Sequence, residues 1–374
     1  MSIERRVKTL NMSLSQIIID RIQNEGPISF HDFMEMSLYY PEYGYYSTSR
    51  TRIGEGGDFY TSPCVSSLFG EMIARQLEEM WHWLGKEPFS ILEYGAGTGV
   101  LCRDILHSLK KNKELYTDVR YHIIEKSGAL GMRASLPEKV SRHDDIKDVP
   151  PIVGCVLSNE LIDNFSVHQV VMQEELMEVF VDHDNGFTEC LRPASRELKD
   201  YFQELGVDLP WGFRTEINLQ AIDWIGRVAG ILKRGFVLTI DYGFPSRLLY
   251  DRHRSQGTLV CYHRHAVNYN PYNYIGEQDI TTHVNFSALS HWGSNYGLEL
   301  GGYTNQAYFL QGLGLAARLK DMEDRGEMQE WSANEKLSLI RTLLMDMGSR
   351  FNVLIQYKGL RKPLLSGMRF PQPI

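Results

Sequence analysis

Eleven residues set the tightest limit on what this chain can fold into: Ile91-Leu92-Glu93-Tyr94-Gly95-Ala96-Gly97-Thr98-Gly99-Val100-Leu101. An apolar run ends in an acidic residue, three glycines alternate, and apolar residues resume at helical spacing, which is the pattern of a strand, a tight turn and a helix start. Glycine adopts backbone conformations closed to other residues and lets a ligand approach the main chain. The first helical turn behind it presents unpaired N–H groups. The spacing is GxGxG, whereas the dinucleotide fingerprint is GxGxxG, so a nicotinamide-dependent dehydrogenase is the weaker reading of this turn.

Short apolar runs at 89–94, 119–124, 152–157 and 235–240 alternate with segments of helical periodicity. Continuously apolar strands between helices predict an α/β fold whose mostly parallel sheet is covered by helices on both faces. Two helices split by Pro27 are expected over 14–38, another over 65–84, further helical patterns over 286–297 and 309–348, and a closing strand over 351–357. The alternation at 167–181 predicts an exposed hairpin, followed by helices over 198–205 and 218–232. The expected organisation is an N-terminal helical and lid segment (1–64), the first part of the core (65–164), an inserted hairpin and helices (165–233), a core strand (234–244), an inserted substrate-side loop region (245–285), and the last part of the core with a long helical insertion (286–374).

Candidate site residues follow the strand ends, where open α/β sheets bind ligands. Glu125 closes the second run and is placed to accept the hydroxyl protons of a ribose; as a helix-start residue it would instead be solvated. Asp144 and Ile146, in His143-Asp144-Asp145-Ile146, are candidates to hold an adenine, or form a surface turn. Ser158-Asn159-Glu160-Leu161-Ile162-Asp163 follows the third long run and puts polar and acidic groups where a cationic reacting group would sit. The same residues would also cap a helix. Asp241 after the fourth run either points into the site or ends the strand in a turn.

Lys and Arg total 39 against 47 Asp and Glu, a formal net charge of −8. No broad basic footprint for a phosphate backbone exists, so nucleic acid is not an expected partner. The five cysteines (64, 102, 155, 190, 261) form no CxxC pair and fit reduced thiols. His253, Cys261, His263 and His265 are ligand types without four-ligand spacing, and no metal is expected. No apolar stretch reaches the roughly 20 residues of a membrane span and no secretory h-region is present, so the chain is expected to be cytoplasmic.

These strand-end features resemble the class I methyltransferase fold, and the ordered motifs resemble the MidA family from about Gly26 to Leu354. The residues carrying the resemblance are Gly26-Pro27-Ile28 with Phe33-Met34, Pro41 with Gly44-Tyr45-Tyr46, Gly57-Asp58-Phe59-Tyr60-Thr61-Ser62-Pro63 and Phe69-Gly70-Glu71. They continue with Glu93 to Gly99, Asp104-Ile105-Leu106, Asn159 to Asp163, Val167-His168-Gln169, Ile240-Asp241-Tyr242-Gly243, Gly257-Thr258-Leu259, His263-Arg264, Asp279 to Phe286, Gln306 with Phe309-Leu310, and Met347-Gly348 with Phe351. Ala96 stands where the family has Pro, Ser166 where it has Pro, Cys64 where it has Glu and Asn285 where it has Asp, the last two removing carboxylates.

The resemblance implies S-adenosylmethionine as cofactor, held by Glu93, Gly95, Gly97, Gly99, Glu125, Asp144, Ile146 and Asn159 under a lid containing Asp58, Phe59 and Thr61. It implies methyl transfer to an arginine of a protein, since mitochondrial members are arginine methyltransferases that assist respiratory complex I assembly. Glu160 and Asp163 are then the carboxylates that orient the guanidinium, and a respiratory-complex subunit is a candidate target. A homodimer stays open. The rival readings are a small-molecule methyltransferase and a cofactor-binding assembly chaperone with little turnover.

Overall fold

The computed structural model describes residues 12–48, 66–125, 137–327, 329 and 332–374. It divides into two compact units, one comprising the described residues of Met1–Phe59, Asn164–Gln220 and Arg247–His283, the other those of Tyr60–Asp163, Ala221–Ser246 and Val284–Ile374.

The second unit is built on seven main strands: β1 (Ser90–Tyr94), β2 (Arg120–Ile124), β3 (Val140–His143), β4 (Ile152–Asn159), β5 (Leu232–Phe244), β6 (Glu299–Asn305) and β7 (Phe351–Lys358). Their order across the sheet is β6-β7-β5-β4-β1-β2-β3. β1 to β5 run parallel, and β7 is antiparallel to both β5 and β6. This is the mostly parallel α/β sheet expected from the apolar runs. From β1 the chain builds outward through β2 and β3, then returns to place β4 on the other side of β1. The reversal opens a crevice at the carboxyl ends of β1 and β4.

Helices α1 (Ser67–Trp83) and α2 (Val100–Leu109) join one large apolar cluster with Ile91, Cys155, Leu157, Leu238, Ile240, Val353 and Ile355. The alternate residues Leu92, Val156, Val237 and Leu354 are also buried, on the opposite face of the sheet. Burial on both faces is why these strands read as unbroken apolar runs. Gly154 and Gly235 sit opposite each other on β4 and β5. A Cβ on Gly154 would lie 2.0 Å from Ser90 O, and one on Gly235 2.0 Å from Gly154 O, so both positions require glycine.

The first unit holds helices Leu14–Glu25, Phe30–Tyr39 and Arg196–Leu205 and an antiparallel sheet of Ile28–Ser29, Leu176–His183, His168–Met172 and Arg214–Ile217, with Phe187–Pro193 paired to Leu176–His183. The hairpin expected to be exposed is buried on both faces: Val179 and Val181 on one, and Val170, opposite Glu178, on the other are fully covered. Tyr45 and Tyr46 are buried, and the Tyr46 hydroxyl lies within hydrogen-bond distance of both Asn164 Oδ1 (2.8 Å) and Asp279 Oδ1 (2.9 Å).

Two further differences from the sequence expectation have local causes. β3 and β6 are edge strands without an apolar run; β3 buries only Val140 and β6 carries Gly301 and Gly302. The helical pattern at 309–348 is broken into Gln306–Gly312, Leu315–Asp324, Ala333–Arg341 and a π-helical turn Thr342–Asp346. Gly314 and Gly326 at two of the breaks have φ of 85° and 72°, which ends a helix. No helix among the described residues is long and apolar enough to cross a membrane.

Candidate functional site

The β1–α2 turn is built from left-handed glycines. Gly95, Gly97 and Gly99 have φ of 80°, 53° and 72°. Gly95 N–H donates to Ile124 O (2.8 Å) and Gly99 N–H to Ala96 O (2.8 Å), which folds the turn back on itself. Gly99 is the N-cap of α2 and offers no side chain to its first-turn amides. With the Gly95 and Gly99 amides spent inside the protein, the donors this corner offers are the uncapped first-turn amides of α2, at the positive end of the helix dipole.

Glu125, directly after β2, reaches this turn: its Oε2 accepts the Gly97 N–H at 2.8 Å. The sequence pairs these two residues only through a presumed ligand; the structure brings them together in direct contact. Glu93 is placed differently. It is 3% exposed at the end of β1 and accepts the Tyr121 hydroxyl at 2.8 Å. Burial pushes its carboxyl up to about 7, with the Tyr121 bond opposing and the Glu125 charge reinforcing the shift.

Beyond β3, Asp144 is exposed, whereas Ile146 is buried and opens a single 3₁₀ turn capped by Asp145. Arg227 pairs with Asp145, and Tyr94 packs edge-on against Trp224 of α3 (Leu219–Ile231). His122 and His143 on β2 and β3 lie 3.0 Å apart, and burial with the neighbouring imidazole pushes His122 down to about 4.

β4 ends at Asn159, whose Nδ2 donates to Glu160 Oε1 (3.0 Å) while its buried Oδ1 has no partner among the described residues. Glu160 sits at φ 53° and its N–H donates to Ile240 O at 2.9 Å. A non-glycine residue held in the left-handed region stores strain that surrounding bonds must maintain. Asp163 is buried in the turn Ile162–Asn164. Fully buried Asp241 lies within β5, which continues to Phe244, and not in a terminal turn: Oδ2 accepts the amides of Leu161 (3.1 Å) and Ile162 (2.8 Å), and Oδ1 that of Tyr242 (2.8 Å). The signal for such a residue is an Asp ending the buried run Phe236–Ile240, because a charge there must be satisfied by nearby donors.

The expected lid residues Asp58, Phe59 and Thr61, and Cys64, lie outside the described residues. Asn285 is the N-cap of α4 (Phe286–Asn295): its Oδ1 accepts Ala288 N–H and the Ser246 hydroxyl, both at 3.1 Å. Among the described residues no group of three or more His, Cys, Asp or Glu is arranged to hold a metal.

The residues present suit an adenosyl sulfonium. They offer a glycine turn that lets a ligand approach the main chain, the uncapped first turn of α2, carboxylates after β2, β3 and β4, and at Asn159 an amide oxygen with no partner among the described residues. A family model described as "Putative S-adenosyl-L-methionine-dependent methyltransferase" matches residues 72–304. A mitochondrial protein arginine methyltransferase NDUFAF7 homolog of Drosophila melanogaster is 27% identical, covering 93% of this chain and 85% of that protein. The human protein arginine methyltransferase NDUFAF7 is 29% identical over 89% of this chain and 80% of its own. A crystal structure of a COG1565 superfamily member from Burkholderia thailandensis bound to S-adenosyl-homocysteine superposes with a TM-score of 0.84 at 32% identity, covering 96% of this chain and 95% of that one.

Proposed function

The chain belongs to this family of S-adenosyl-L-methionine-dependent methyltransferases, and from that premise we propose that it methylates a guanidinium nitrogen of a protein arginine. Mitochondrial relatives are named as protein arginine methyltransferases, which supports the acceptor class. The observation that carries the reading is Glu160: a carboxylate held at the carboxyl edge of β4 in a strained backbone, braced by Asn159.

When bound, the cofactor supplies an electrophilic methyl on a sulfonium that leaves as a neutral thioether. The protein's task is to hold donor and acceptor in line at near-contact distance. The turn of Gly95, Gly97 and Gly99 lets the cofactor come close to the main chain beside the uncapped first turn of α2, Glu125 accepts its ribose hydroxyls, Asp144 and Ile146 take its adenine, and Asn159 Oδ1 gains a partner. Glu160, with Asp163, pairs with the guanidinium fork, fixes its plane and receives the proton that the nitrogen sheds as the new bond forms. A protein target is the partner this chemistry serves, a respiratory-complex subunit among the candidates.

The replacement at Asn285 does not argue for a turnover-poor chaperone, because Asn caps α4 as Asp would. Glu160→Gln is the test: calorimetric affinity for S-adenosylhomocysteine stays at the wild-type value while methyl transfer to protein falls at least tenfold. Full transfer by the variant would remove Glu160 from the chemistry.

A further inference from the structure

We propose that Asp241 is a positioning residue: its buried carboxylate clamps the Glu160–Asp163 turn and seats that turn against the cofactor loop. The proposal rests on the reading of Glu160 as the acceptor-side carboxylate, and it concerns a residue whose carboxylate is fully buried and taken up by main-chain amides.

The geometry has three parts. Asp241 lies near the end of β5, paired across the sheet with Asn352 of β7, and one oxygen takes two successive amides, Leu161 at 3.1 Å and Ile162 at 2.8 Å. The backbone of Asp163 adds a third bond from the same turn, and Tyr242 N–H occupies the other oxygen at 2.8 Å. Converging amides around one carboxylate form an anion nest, here with the anion supplied by the protein. Second, Glu160 N–H is tied to Ile240 O, the residue before Asp241, so both anchors of the turn come from adjacent positions of β5. Its φ of 53° is thereby over-determined. Third, Leu161 reaches the glycine turn: a Cβ on Gly95 would stand 2.7 Å from Leu161 Cδ1. A Cβ at Gly95 would have to push aside the tip of the leucine that Asp241 holds, in addition to straining the left-handed backbone. The cofactor turn has its own braces in Ile124 O and Glu125, which do not pass through Asp241.

Asp241→Asn keeps the volume but turns an NH2 toward amides that need an acceptor. The decisive experiment compares this variant with wild type by hydrogen–deuterium exchange, by S-adenosylhomocysteine calorimetry, and by tritium transfer from S-adenosyl-[methyl-3H]methionine to lysate protein. The expected result is faster exchange confined to the peptide spanning 159–164, cofactor affinity within about threefold, and transfer reduced about tenfold or more at saturating cofactor. A merely structural residue would raise exchange across the sheet and weaken cofactor binding in step. If Asp241→Asn does not accumulate folded, Asp241→Glu keeps the charge while displacing it, and the same local exchange and transfer losses are expected. Unchanged exchange at 159–164, or wild-type transfer despite faster exchange there, overturns the proposal. The two readings separate cleanly: Glu160→Gln with normal transfer sinks the role of Glu160, whereas the exchange pattern judges the clamp with or without a methyl acceptor.

Discussion

At the scale of single residues, the glycine turn and Glu125 act as one unit, because the carboxylate that is to receive the ribose also accepts Gly97 N–H. Glu125→Ala removes both bonds, and cofactor affinity measured by calorimetry should fall by about 1 to 3 kcal/mol, the range for hydrogen bonds to charged groups. Wild-type affinity would detach Glu125 from the cofactor. Glu93 makes a prediction of opposite character. Its folded carboxyl titrates near 7, above the ordinary unfolded value, so the folded state holds the extra proton and the associated stability is full below about 4.5 and lost as pH rises toward 7. His122, pushed down to about 4, works in the other direction, losing stability as pH falls below about 6.5. The difference between wild type and Glu93→Gln isolates the first effect: from pH 5 to 7.5, urea midpoints should show wild type losing on the order of 1 to 3 kcal/mol relative to the variant. Parallel pH profiles would contradict the buried, proton-holding Glu93. The glycines, Glu125 and Glu160 were legible in the sequence because turn chemistry and strand ends are local signals. Glu93's partner was not, since Tyr121 is 28 residues away and meets it only across β1 and β2.

At the scale of elements, strands covered on both faces announce themselves as apolar runs, which is why β1, β2, β4, β5 and β7 could be read directly. β3 and β6 could not, because an edge strand needs little apolar surface and its place is set by pairing with its neighbour. Two separate motifs, Phe69-Gly70-Glu71 and Asp104-Ile105-Leu106, turn out to be one helix crossing: a Cβ on Gly70 of α1 would lie 2.4 Å from Asp104 Cβ of α2. Distance in sequence hid that contact. Asn285 tests the cap of α4. Asn285→Ala should cost about 1 kcal/mol in chemical unfolding, whereas Asn285→Asp should leave both stability and transfer near wild type, because either side chain accepts the Ala288 amide. A large gain in transfer on restoring Asp would instead show that the carboxylate belongs to the chemistry.

At the scale of the molecule, the formal charge of −8 suits a cationic donor and a cationic acceptor better than any anionic partner. Acidic residues follow β2, β3 and β4, which makes the carboxyl edge of the sheet acidic where the sulfonium and guanidinium are proposed to meet. The most direct measurement of the central claim is the chemical form of the transferred methyl. Lysate protein is incubated with the enzyme and S-adenosyl-[methyl-3H]methionine, hydrolysed to amino acids, and the label is assigned by chromatography. Wild type should place the tritium in methylarginine, and Glu160→Gln should lose that product while still binding S-adenosylhomocysteine. Label recovered in a small molecule or in another amino acid, with none in methylarginine, would contradict the account.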